Sequence, residues 1–242
     1  MSEKLPSPEE NIDKIPEIDS ELIKHIESLN LYPLEKGEII LVKAGVKPSA
    51  WITADIRIWN EGEPQHIIRT EKDVEDFISV IKELNVPSEI LPREIEVEKQ
   101  KIRGQTINVY RDHVEVRVAS NQENLDTLHE AIKVKDHALM GHILGIPETA
   151  VEAFVGKSKK LNPYKIPKEI ILSDAFIFSS TNVLSEDNWQ NELKEGEIRA
   201  KTLEKVSPKI FEEMKRERLK SIESHGLLSD KTRSRWSKKD LS

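Results

Sequence analysis

Residues 135–156 read KDHALMGHILGIPETAVEAFVG, the longest mainly apolar stretch of the chain, interrupted once at Ile146-Pro147. In its first half Ala138, Leu139, Met140, Ile143 and Leu144 spread around most of a helix circumference, a distribution that predicts an enclosed helix. Gly145 supplies a helix stop, and Pro147 suits the first turn of a second helix, where its missing N–H would be unpaired in any case. Ala150, Val151, Phe154 and Val155 then form one apolar face. The stretch predicts a buried helical hairpin against which a sheet is laid.

Within it, Leu144-Gly145-Ile146-Pro147-Glu148-Thr149-Ala150, continuing to Phe154, resembles the Leu-Gly-Tyr-Pro segment, followed by a small pair and an aromatic, of a group of archaeal and candidate-phylum bacterial proteins. In some of those the small pair is two cysteines. Here Ile146 stands for the tyrosine and Thr149 and Ala150 for the cysteines, which removes any metal or redox role for the pair. The likeness spans about twenty residues and implies no activity.

Upstream, Ile18, Leu22, Ile23, Ile26 and Leu29 make a helical stripe capped at Asp19 or Ser20. Ile39 to Val42 reads as a strand within 38–43. Residues 50–59 alternate, with Ala50, Ile52, Ala54, Ile56 and Ile58 on one side and Trp51, Thr53, Asp55, Arg57 and Trp59 on the other. Residues 65–69 supply a short hairpin partner. Val74, Phe77, Ile78, Ile81 and Leu84 define an amphipathic helix capped by Thr70.

Residues 94–102, 106–110 and 114–119 predict further antiparallel strands, with turns at 103–105 and 111–113. Asn121 or Asn124 caps a helix leading into the hairpin. Residues 169–179, apolar on both sides, read as a central strand. Ser185 and Ser207-Pro208 open the last two helices, the first with a weak point at Gly196. The fold class is α+β: a mostly antiparallel sheet with the buried hairpin and the C-terminal helices packed on one face.

At 242 residues, with 33% charged and 5% aromatic side chains, the core must come from Ile, Leu, Val and Ala. Residues 1–15 form an acidic segment too poor in apolar groups to order. Residues 16–225 are read as one domain and 226–242 as a flexible basic tail. The net charge of −7 argues against a surface built wholly for nucleic acid. Without cysteine there is no disulfide, thiolate metal site or cysteine nucleophile. The first twenty residues hold six acids and two lysines, the reverse of a secretory leader, and no run approaches a membrane span. A cytoplasmic protein is expected.

Three groups are candidates for function. His137 and His142 are five positions apart, roughly 140° around a helix, and cannot easily share an ion, whereas zincin histidines lie four apart. Bracing hydrogen bonds are the simpler role; the chemical alternative pairs His142 with a carboxylate such as Asp174. Trp51, Asp55, Arg57 and Trp59 could bind a ligand by stacking and bidentate hydrogen bonds, or could be surface cross-strand pairs. Ser179-Ser180-Thr181-Asn182 lacks the glycines of a phosphate loop or nucleophile elbow and suits turn duty.

The expectation is a binding or interaction protein with no chemistry of its own and no cofactor or metal, whose partner is an unidentified protein or small molecule. A metal-dependent or His-assisted hydrolase is the alternative. A nucleic-acid accessory protein is the second, resting on the basic C-terminal segment. No membrane partner is expected.

Overall fold

The computed structural model describes residues 15–102, 105–179 and 183–236. The acidic segment expected over 1–15 lies almost wholly outside them. The fold is α+β, around one five-stranded antiparallel sheet. Its strands are β1 (Ser49–Asn60), β2 (His66–Ile67), β3 (Ser88–Ile90), β4 (Glu94–Ile102) and β5 (Gln105–Ala119). β5 is central: β1 pairs along one edge, with β2 beyond it, while β3 and β4 share the other edge.

Helices α1 (Ser20–Ser28), α2 (Pro33–Lys43) and α3 (Glu71–Glu83) lie on the inner face. There Ala50, Ile52 and Ala54 meet Val114, Val116 and Val118 across the register, all fully buried. Asp19 caps α1, and Thr70 forms a capping box with Asp73 at α3, each satisfying otherwise unpaired helix N–H groups. Arg69 fastens this layer: its guanidinium donates to Asp55 O and Asn30 O and reaches Glu35, with Tyr32 beneath it.

Behind α2 packs a second layer of α8 (Asp174–Ser179), α9 (Trp189–Val206) and α10 (Pro208–Ser224). On the outer face, α4 (Gln122–Val134), α5 (His137–Ile143) and α6 (Glu148–Phe154) cover only the Ser49–Ala119 end. Ser49 Oγ there donates to Ile143 O. The short α7 (Lys168–Ile171) leads into α8, and α11 (Asp230–Trp236) follows α10.

Four expectations are corrected. Residues 38–43 belong to helix α2, started by Pro33 and by Glu35, which accepts the Tyr32 N–H; Ile39 to Val42 are buried on every side, so their pattern carries no helical period. Residues 169–179 hold the end of α7 and all of α8, in which Ile171, Phe176, Ile177 and Phe178 are buried, so the apolar run again carries no clear helical period. The turn expected at 111–113 is absent. β5 runs 15 residues without a break because Arg111 and His113 find polar partners on neighbouring strands and Asp112 finds Arg93 in the β3–β4 link.

The hairpin, finally, does break at Gly145, whose φ of +74° only glycine adopts without strain. Its burial is one-sided, with Ala150, Val151 and Ala153 of α6 buried. In α5 only Gly141 and Ile143 are buried, and Phe154 is 55% exposed. It closes one end of the outer face instead of lying under the sheet. In the segment expected to be a flexible tail, 226–242, residues 230–236 form α11, and Arg233 ties it to the carbonyls of Leu227 and Ile166.

Candidate functional site

Strand β1 does not keep one polar face. The register with β5 passes from Asp55–His113 to Arg57–Asp112, leaving Ile56 as an extra residue. Such a bulge moves every later side chain to the opposite face. Trp51 and Asp55 therefore lie on the outer face, while Arg57 and Trp59 lie on the inner one. The expected four-residue platform is split in two.

The outer half is a ladder of paired charges. Trp51 lies under the Arg117 guanidinium at 5.4 Å; Arg117 reaches Glu89 at 2.8 Å, and Glu89 lies 2.9 Å from His129 of α4. Both carboxylate oxygens of Asp55 accept from Arg111, at 3.0 and 2.9 Å, an interaction that raises the Arg111 pKa. His113, 2% exposed, sits between them with Nε2 3.6 Å from Glu94 and 3.9 Å from Glu115. Each of these charges has an opposite neighbour.

The inner half continues past the end of the helical layer. Arg93 donates to both carboxylate oxygens of Asp112 at 2.6 Å and to Glu71 at the start of α3 at 2.9 Å, and Arg57 approaches the same two acids. The Arg93 hydrogen bonds hold the Asp112 carboxyl below the ordinary carboxylate range. Beside this cluster Trp59 stacks on its cross-strand partner Tyr110, centroids 5.3 Å apart and planes 7° from parallel.

Register places three more apolar residues on this face: Ile67 opposite Arg57, Ile95 opposite Asp112 and Val97 opposite Tyr110. Their exposures are 64%, 58% and 53%. A stacked aromatic pair thus sits among three exposed aliphatic side chains, bordered by two arginines and two carboxylates. Tyr110, Arg93 and the three aliphatics were not legible as a site, because only the register brings them together.

The other candidates separate. His137 and His142 are exposed on α5, and neither imidazole has a hydrogen-bond partner among the described residues. Asp174, in the first turn of α8, pairs with Lys215 at 2.8 Å. Ser179 Oγ donates to Ala175 O within α8, and residues 180–182 lie outside the described residues. Thr149 donates to Glu192, a buried carboxylate that also accepts the Ser185 N–H and hydroxyl, so the threonine of the hinge braces α9. Among the described residues no three His, Cys, Asp or Glu side chains are grouped to hold a metal ion, and no helix is long and apolar enough to cross a membrane. No family model, curated protein or solved structure matches the chain.

Proposed function

We propose that this is a binding protein that presents the uncovered end of its sheet to a protein partner and carries no chemistry of its own. One observation supports this most: Trp59 and Tyr110, stacked and half-buried at the end of the inner face, with Ile67, Ile95 and Val97 exposed around them. Clustered exposed apolar groups mark interaction surfaces. Tryptophan, tyrosine and arginine dominate the energetics of such surfaces, and Arg57 and Arg93 supply the polar margin. The His-assisted alternative draws less support, since Asp174 pairs with Lys215 and the exposed His142 imidazole has no hydrogen-bond partner among the described residues.

The test is affinity capture with cross-linking from cells of the source organism, using the wild type, Trp59→Ala and Val97→Lys. A stoichiometric protein held by the wild type should be lost from both variants, with Trp59→Ala weakening the purified complex about thirtyfold. Capture of the same proteins by all three would reject the reading.

A further inference from the structure

Residues 157–168 read KSKKLNPYKIPK, five lysines and no acid in a chain whose 44 acidic side chains outnumber its 37 lysines and arginines. The loop follows α6, and two features stiffen it. Pro163 and Pro167 fix φ at either end of a short turn, Pro163–Lys165, in which the Asn162 side chain accepts the Tyr164 N–H. Backbone hydrogen bonds from Glu186 N to Lys159 O and from Leu161 N to Leu184 O pin its first half to the segment before α9.

α11 brings a second basic segment to this loop. Arg233 donates to Ile166 O and, at 3.1 Å, to Leu227 O; Tyr164 donates its hydroxyl to His225 O at 3.2 Å; Lys168 and Asp230 pair at 2.6 Å. The docking thus consumes carbonyl oxygens and a single carboxylate. Residues 157–168 and 225–234 together hold seven lysines and arginines and one acid, bounded in sequence by Glu152, Glu169 and Glu223. Lys159 and Lys165 each approach Glu186 at 3.9 Å. Lys157, Lys160 and Lys231 are exposed and have no carboxylate partner among the described residues. Bringing like charges together across a fold contact is unfavourable, and it raises the potential that attracts an anion.

We propose that this face, formed by the 157–168 loop and α11, binds the phosphodiester backbone of a nucleic acid through Lys157, Lys160 and Lys231. Lysines are strongly hydrated point charges on flexible stems, which suits phosphates and carries no base readout, so binding is independent of sequence. An acidic protein partner matches less well. Protein contacts depend on apolar and aromatic anchors, and no large hydrophobic side chain is exposed over 157–168 or 225–234. The surface is separate from the sheet end and does not rest on a partner there.

Fluorescence anisotropy of the full chain tests this, with labelled single-stranded RNA and duplex DNA oligonucleotides of mixed sequence as probes. At least one should bind, and raising salt from about 50 to about 200 mM should weaken it about twenty- to fortyfold, the loss expected for three phosphate contacts. The tighter of the two identifies the source of the backbone. The triple variant Lys157→Glu, Lys160→Glu, Lys231→Glu should lose about tenfold or more in affinity and show a flatter salt dependence. A second triple variant, Lys24→Glu, Lys82→Glu, Lys133→Glu, changes the net charge equally at exposed sites on α1, α3 and α4 and should stay within about threefold of the wild type. If the first variant does not fold, glutamine at the same three positions takes its place, again with a flatter salt dependence expected. Binding of neither oligonucleotide, equal losses in the two triple variants, or displacement of the oligonucleotide by poly-glutamate at equal charge concentration would overturn the proposal.

Discussion

Asp112 joins three parts of the molecule: β5 through its backbone, the β3–β4 link through Arg93, and the first turn of α3 through the Glu71 that Arg93 also holds. Its side chain is almost wholly buried, but Arg93 is partly in solvent, so screening limits the pair to about 1–2 kcal/mol. The Asp112 pKa is lower in the folded chain than in the unfolded one. Its contribution is therefore complete above the ordinary carboxylate value of about 3.9 and drains away as pH falls through the lower folded-state value. Asp112→Asn should be less stable than the wild type at about pH 7, and the two urea midpoints should converge as the pH is taken from about 5 toward about 2. A gap that stays constant over that range would deny the aspartate this role. The same residue shows what the sequence concealed. Arg111-Asp112-His113 carries the composition of a turn, and only its cross-strand partners keep it in a strand. The bulge is equally hidden, because Ile56 is apolar and suits the alternation in either phase.

At the scale of elements, legibility followed exposure. Stripes with one wet face, such as α1 and α3, and the caps at Asp19, Thr70, Asn121 and Ser207 were readable, since a half-buried helix writes its period into the sequence. Segments enclosed on all sides, α2 and α8, lost that period and read as strands. Gly196 was misleading in the same way: it looks like a weak point in α9 and is where α8 crosses it. A methyl group at Gly196 would collide with Ser179 Oγ and the Ala175 carbonyl, whereas one at Gly37 of α2 would meet mainly the flexible end of Met214. Helix propensity alone favours alanine over glycine by about 1 kcal/mol. Overpacking against backbone costs about 1–3 kcal/mol, so packing wins at Gly196. Gly196→Ala should lower the unfolding free energy by about 1–2 kcal/mol and Gly37→Ala should change it by less than about 1 kcal/mol, measured by urea denaturation. Equal effects would mean that the α8–α9 crossing is not tight.

For the molecule as a whole, the sheet divides into two zones. Residues 114–118 of β5 lie between β1 and β3 beneath α2, with Val114, Val116 and Val118 buried. β4 is exposed along its described length and pairs only with β5. Exposed backbone hydrogen bonds with little apolar cover open locally, well below the free energy of global unfolding. Amides of residues 95–101 should thus exchange at least about a hundredfold faster than those of 114–118 by hydrogen-exchange mass spectrometry, a gap of about 3 kcal/mol. Uniform protection across both would show that the β4 end of the sheet is as firmly held as the core. A partner seated on Trp59, Tyr110, Ile95 and Val97 would bind the closed hairpin and not the opened one, so its association should slow exchange in β4 while leaving 114–118 unchanged. Protection confined to β4 on binding would locate the partner at the sheet end without any need for substitution.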